Sequence, residues 1–326
     1  MGSSERAAGQ GGWMRWWKGL VGAGCLGLLL GFSEPFWWLG AMASNLRSYF
    51  ALLALAGLIS TWRVPSRMMR WVCAGLLVIC LTSFFPGSQA LPRAGRKMDE
   101  LRAFRLFTYN VLVSATNYEE VIRTVREQSP DVALFLEVDV SWADALAVLE
   151  GEYPYFDVEA SGAFGLAVYS RVPLEEVIIE DVSGYGFVSV MADLEWEGTP
   201  VRVVGTHPPP PIDAFSWKVQ QTHLDELAEI ICKERRPVLI GGDFNCAPWT
   251  QTALRFGRKG RILRSTRSWR ATWSSAFREG FGLPLDHHWG SPEWRVKEHR
   301  FGPFQESDHR WIMTDFVLPE GSKEGG

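Results

Sequence analysis

Several apolar runs of this chain end in, or begin just after, a residue that can do chemistry. FRLFTY is followed by Asn110, VALFL by Glu137, VRVVGT by His207, and VLIGG by Asp243 and, two further on, Asn245. Asp286 follows GLPL, and Asp308 and His309 precede RWIMTDFV. Strand side chains alternate, so the spacing predicts Asp243 and Asn245 side by side on one face. If these strand ends converge, one cleft holds a set of carboxylates, two amides and two imidazoles. Crowded carboxylates repel one another unless a hard cation lies among them. Mg²⁺ favours such oxygens, keeps waters and completes its shell with substrate phosphate; Mn²⁺ is the expected substitute. Amides and imidazoles can donate to phosphate oxygens as charge builds on them. The set therefore points to metal-assisted attack of water on phosphorus. Zinc fits less well, because there is no thiolate in the set and no HExxH arrangement. Taken singly, each residue also fits a strand-end turn, a solvated carboxylate or a loop histidine. The GDFN block and the ordered set carry the chemical reading.

The elements that must position these residues alternate in type. FRLFTYNVL, DVALFLEV, FGLAVYSR, GFVSVMADLEW, PVRVVGTH, PVLIGGDFN and WIMTDFVL read as strands, with EGTP as a hairpin turn. NYEEVIRTVREQ reads as a helix with Asn117 as N-cap and Glu120 in the capping-box position. SWADALAVLEG reads as a helix opened by Ser141 and closed by Gly151, and a long helix spans about 213–234. Hairpins mixed with helical crossovers predict an α/β fold of two packed mixed sheets flanked by helices, over residues 103–319. A flexible tail, 320–326, follows.

The first 92 residues differ in character. They hold apolar runs near 19–39, 48–62 and 71–87, each near the lower limit of what crosses a bilayer, about 17 to 25 residues. Three runs in series exclude a signal peptide. Trp16, Trp17, Trp37, Trp38, Trp62 and Trp71 flank them, as side chains of the headgroup zone do. The Glu34-Pro35 step is expected in a loop or at an interface, since a carboxylate in lipid is costly. Arg15, Lys18, Arg63, Arg67 and Arg70 place the N-terminus and second loop in the cytoplasm, and an odd number of spans then puts the rest outside; Arg93, Arg96 and Lys97 argue against it. The expectation is three transmembrane helices, a linker at 93–102 and an extracytoplasmic domain. The net charge is −4, and no basic block marks a general nucleic-acid footprint. The five cysteines show no CxxC spacing and read as free thiols; a Cys232–Cys246 pair is the weaker option.

In their order, TYNVL, LFLEV, GLAVYSR, GTHPPPP, GGDFNCAPWT, PLDHHW and ESDHRW resemble the endonuclease/exonuclease/phosphatase superfamily with its DNase I-like fold. The THPPPP form and the apolar leader resemble a bacterial membrane-anchored branch. The resemblance implies a four-layer α/β sandwich and metal-dependent phosphoester hydrolysis. It implies that Glu137 binds Mg²⁺ with help from Asn110, and that Asp308 contributes to the metal region. It further implies that Asp243 orients or deprotonates water and Asn245 holds a phosphate oxygen. His309 would donate to the phosphate with its ring fixed by Asp286, and His207 would contact the phosphate from the opposite wall. Gly241 and Gly242 are expected to allow a tight turn, and Pro248 to start the next helix.

Two departures stand out. Leu112 occupies a position where nucleases of the superfamily often have an acid, which favours one metal over two. Four prolines after His207 predict a stiff lip that limits access. His287 and His288 are expected to pack or face solvent; Trp249 and Trp273 to pack, or to stack on a base or chain; and the basic stretch 255–267 to be a solvated face or an attractor of anions. The resulting expectation is a hydrolase of phosphoester bonds, multi-pass in a bacterial inner membrane. Its substrate is a lipid headgroup, nucleic acid or nucleotide derivative, the bilayer is its surroundings, and no protein partner is implied. The alternative is a catalytically silent, membrane-tethered binder of phosphate-bearing ligands.

Overall fold

The computed structural model describes residues 19–60, 67–84, 90–98, 100–274 and 281–319. Two six-stranded mixed sheets pack face to face. The first has the order β11-β12-β1-β2-β4-β3 and the second β5-β6-β7-β8-β10-β9. The strands of the first are β1 Phe104–Asn110, β2 Val132–Leu136, β3 Tyr155–Glu159, β4 Leu166–Ser170, β11 Arg295–Phe304 and β12 Arg310–Val317. Those of the second are β5 Leu174–Glu180, β6 Ser189–Trp196, β7 Thr199–Thr206, β8 Val238–Asp243, β9 Leu263–Arg264 and β10 Asp286–Gly290. Helices α5 (Tyr118–Gln128) and α6 (Val140–Leu146) cover the outer face of the first sheet; α7 (Ala214–Lys233) and α8 (Gln251–Gly260) cover that of the second.

Side-chain alternation sorts the core into layers. Along β1, Phe104 and Leu106 enter the inter-sheet core with Leu134, Val203 and Leu239, while Phe107 and Tyr109 face the helical layer with Val121 and Trp142. The same parity runs on past the apolar residues. On β1 it reaches Thr108 and then Asn110; on β8 it passes from Leu239 through Gly241 to Asp243. Each strand thus delivers its last inward-facing residue to one end of the gap between the sheets.

Gly241 and Gly242 lie within β8 and are not at a turn. A Cβ on Gly241 would sit 2.3 Å from Thr108 Oγ1, and one on Gly242 would sit 2.0 Å from the carbonyl oxygen of Thr206. Close approach of neighbouring backbone, rather than conformational freedom, requires glycine there. The helix after β8 begins at Gln251 with Thr250 as its N-cap, so Pro248 does not start it. Asn117 is the N-cap residue of α5, but its side chain makes no capping bond to the backbone; its amide donates to Glu120 instead (3.4 Å). Helix α6 is capped by Asp139, whose carboxylate accepts from Trp142 N, and Ser141 lies inside the helix.

The N-terminal region forms helices α1 (Gly19–Gly31), α2 (Trp38–Asn45), α3 (Arg47–Ser60) and α4 (Arg67–Phe84). Among the described residues no single helix is long and apolar enough to cross a membrane. The pair α2 and α3 meets the length and composition together, bent by 62°. Trp16, Trp17, Trp62, Arg15, Lys18, Arg63 and the tail 320–326 lie outside the described residues. Residues 90–98 are not a loose connection. Leu91 N donates to Arg264 O, Ala94 N donates to Val296 O, and Leu91 is buried in the inter-sheet core. The first part of the expected linker is therefore a strap along the sheets. The five cysteines are free, Cys246 buried among them.

The region 32–49 docks on the α/β domain through buried polar contacts. Glu34 accepts from Gln251 N and Thr252 N (2.8 Å each) and from Thr252 Oγ1 (2.9 Å). Asn45 Oδ1 accepts from Ala247 N (2.7 Å), and Arg47 Nη1 donates to Trp249 O (3.1 Å). Trp249 Nε1 donates to Ser44 O (2.9 Å), and Trp249 packs with Leu28, Cys80 and Ala247.

Candidate active site

The polar strand ends meet at one end of the inter-sheet gap. Asp243 is 1% exposed, and its Oδ2 is the hub: Asn110 Nδ2 lies 3.4 Å away, His309 Nε2 3.5 Å and His207 Nε2 3.6 Å. Asn110 Nδ2 also donates to Glu137 Oε1 (2.9 Å), and Val113 N donates to Glu137 Oε2 (3.1 Å). Glu137 has φ 62°, just past the last residue of β2. This left-handed step carries its carboxylate off the strand and over the gap. His309 Nδ1 lies 2.9 Å from Asp286 Oδ2, and its Nε2 is 3.9 Å from Asp308 Oδ1. Glu137, His207, Asp243, Asn245, Asp308 and His309 line one cavity of ≈ 500 Å³. Asn110 and Asp286 stand behind that lining, each holding a residue of it. Eight residues spread over two hundred positions of sequence are thereby brought together.

Asn245 reaches the site differently from the alternation expected. β8 ends at Asp243, and Asn245 has φ 50°. Its backbone N–H donates to Asp243 Oδ1 (2.8 Å), and its Nδ2 donates to the carbonyl of Pro208 (3.0 Å). A left-handed turn, not a shared strand face, sets the pair, and it ties the GDFN turn to the proline segment. Pro210 and Pro211 line the cavity.

The electrostatics follow from burial and from neighbours. Burial alone pulls the His309 imidazole down, but Asp286 and Asp243 outweigh it and push its pKa up to about 10. His309 is therefore a cation at neutral pH. Burial pushes the Asp243 carboxyl up, and His309 and His207 hold it back. The tightest cluster of metal-ligating types among the described residues is Asp243, Asp286 and His309, within 4.8 Å of one another. Within it, the imidazole is bonded to Asp286 through Nδ1 and lies near Asp243 through Nε2. Glu137 and Asp308 add two further carboxylates to the cavity lining. Asp308 Oδ2 accepts from Trp273 Nε1 (2.8 Å), whereas its buried Oδ1 has no hydrogen-bond partner.

The profile of the "Endonuclease/Exonuclease/phosphatase family" matches residues 107–309. The chain belongs to this family. Among solved structures, zebrafish TDP2 complexed with a single-strand DNA product is similar at TM-score 0.55 and 15% identity, covering 66% of this chain and 99% of that one. An endonuclease/exonuclease/phosphatase from Beutenbergia cavernae gives 0.53 and 18%, covering 67% and 72%. Sphingomyelinase C from Streptomyces griseocarneus gives 0.52 and 14%, covering 65% and 99%. At these identities the likeness is one of fold. No curated protein matches the chain.

Some residues that shape this endonuclease/exonuclease/phosphatase site were not legible as such. Ser307 donates from Oγ to Asn110 O (2.8 Å) and accepts from His309 N (3.0 Å), joining two site residues. Met42, Asn45 and Leu46, from the apolar leader, line the cavity. Of the other candidates, His287 and His288 are buried beside the site: His287 Nε2 lies 3.0 Å from Cys246 O, and His288 bonds Thr108 and Thr314. Trp249 is core, and Trp273 lines the cavity. Leu112 is half-buried and packs on the first sheet's outer core. Within 255–267, Arg255 pairs with Asp225 and Arg264 is buried.

Proposed function

We propose that this chain is a membrane-anchored, Mg²⁺-dependent hydrolase of phosphoester bonds, in which an activated water attacks phosphorus. The observation that carries the reading is the meeting of Glu137, Asp243 and cationic His309 around one cavity. The donor set fits a hard cation. Three carboxylates, Glu137, Asp243 and Asp308, line the cavity, and Asp308 Oδ1 is buried without a donor. Glu137, oriented by Asn110, would hold Mg²⁺ with Asp308 adjoining it; Mn²⁺ would substitute. The ion supplies charge neutralisation at the phosphate. Asp243 takes the proton of the attacking water, its Oδ1 fixed by Asn245 N. His309 donates from Nε2 to a phosphate oxygen, and Asp286 on Nδ1 fixes ring and charge. His207, 3.6 Å from Asp243, and Asn245 would add further contacts to the phosphate.

Membrane anchoring rests on the helical region. Leu26, Leu29, Leu52, Ile59, Trp71 and Val78 of α1, α3 and α4 expose large apolar side chains, as lipid-facing helices do. The contacts of Glu34, Asn45 and Arg47 with the α/β domain need residues 32–47 and that domain on the same side. Three crossings with an extracytoplasmic domain satisfy this. Reporter fusions after Arg67 and after Gly326 test it: opposite sides are expected, and the same side overturns three crossings.

The catalytic reading is tested on the full chain in detergent with bis(p-nitrophenyl) phosphate and Mg²⁺, Mn²⁺ or EDTA. Turnover with metal and none with EDTA is expected. Asp243→Asn and His309→Ala should each cost about a hundredfold or more. A folded protein with no turnover in metal is the silent binder; near-normal rates in either variant overturn the roles.

A further inference from the structure

We infer that the cavity beside His309 seats the alkyl or acyl chain of an amphiphilic phosphoester, and that the N-terminal helices supply one wall of that seat. The inference rests on the hydrolytic reading above and names its substrate class. The cavity lining combines two chemistries. Glu137, His207, Asp243, Asn245, Asp308 and His309 form its catalytic part. Met42 and Leu46 of the leader, with Phe164, Ile212 and Leu283 from the α/β domain, give it a broad apolar part. Among the described residues no Lys or Arg lines it. A polynucleotide is held mainly through cations on its successive phosphates, and this wall offers none. A single phosphate beside His309 with a hydrocarbon chain against the apolar side chains matches both parts of the lining.

The wall from the leader is built in place. Asn45, which also lines the cavity, donates from Nδ2 to Asn245 O (3.4 Å) and accepts from Ala247 N (2.7 Å). It thus ties α2 to the turn that carries Asn245. Met42 and Leu46 are 38% and 39% exposed and Ile212 58%, so the rim of the mouth is itself apolar. A chain drawn from a bilayer would meet these apolar side chains first.

The test uses the full chain in detergent with Mg²⁺ and a series of methyl, butyl and octyl p-nitrophenyl phosphates, with thymidine 5′-p-nitrophenyl phosphate as the nucleotide arm. Burying a methylene is worth up to about fourfold, so kcat/KM should climb by up to about fourfold per methylene until the wall is full. The octyl ester should exceed the thymidine ester. Met42→Glu with Leu46→Glu, and separately Ile212→Glu on the opposite wall, should flatten the octyl-to-methyl ratio by tenfold or more. Ile212→Glu keeps the test valid if the leader variant does not fold. A flat chain-length series, a faster thymidine ester, or an octyl preference that survives Ile212→Glu overturns the inference. Absence of turnover with every ester, methyl included, instead refutes the hydrolytic reading.

Discussion

Removing the Glu34 carboxylate should uncouple the leader from the catalytic domain. The first N–H groups of a helix have no partner within it. In α8 these are Gln251, Thr252 and Ala253. Glu34 accepts the first two at 2.8 Å each, and Thr250 Oγ1 accepts the third at 3.2 Å. Glu34 is 2% exposed, so water does not stand in for it. Each buried N–H left without an acceptor costs about 1–3 kcal/mol, and a carboxylate at a helix N-terminus adds up to about 2 kcal/mol. Glu34→Ala should therefore lose about 2–8 kcal/mol and Glu34→Gln, which keeps one acceptor oxygen, about 1–3 kcal/mol. The assay is amide hydrogen exchange at Gln251 and Thr252, read beside the unfolding midpoint. A loss of 3 kcal/mol corresponds to exchange faster by more than about a hundredfold at those amides. Exchange at both amides within threefold of wild type in Glu34→Ala would refute the reasoning.

The remaining expectations concern the site and its scaffold. Asp286→Asn removes the charge that lifts His309; turnover should fall about a hundredfold or more, and the alkaline limb of the pH profile should move to lower pH, checked by kcat/KM from pH 6 to 10. Gly242→Ala would drive a Cβ into Thr206 O and should cost about 3 kcal/mol or more, whereas Gly151→Ala, with nothing within 4 Å, should stay within about 0.5 kcal/mol; denaturant midpoints decide both. His223, bonded to Ser189 and Thr206, is held neutral by burial, which pulls its pKa down to about 4. The unfolded chain takes that proton first, near pH 6.5, so stability present above pH 6.5 is lost as pH falls towards 4, on the order of 3 kcal/mol. Unfolding at pH 7, 5.5 and 4.5 should show the slope, and His223→Gln should flatten it.

How much of this was legible depended on which residues spoke for themselves. Asn110, Glu137, Asp243 and His309 interrupt apolar strands where nothing in a core would want them, and the GDFN block adds spacing. Asn245 was legible as a site residue, but the cause of its position was not: alternation predicted a shared face, and a left-handed turn with its N–H on Asp243 provides the contact. Gly241 and Gly242 looked like a turn because what demands glycine there, Thr108 and Thr206, is distant in sequence. The cap of α6 was misplaced, at Ser141 instead of Asp139, and Asn117 holds the N-cap position of α5 without a side-chain capping bond, because several polar residues compete near a helix start and side-chain geometry chooses among them.

The sequence by itself determined most of the central strands, the helices between them and the types of group that end them, because periodicity and residue chemistry are local properties; the outer strands β3 and β5, without a long apolar run, were not read. It also marked Glu34 as a carboxylate unsuited to lipid. Only the tertiary structure decided that Glu34 caps α8, that Ser307 joins Asn110 to His309, and that Met42 and Leu46 line the catalytic cavity. Each of those is a contact between segments far apart in the chain. Such contacts depend on how layers stack and which surfaces meet, and no local pattern encodes them.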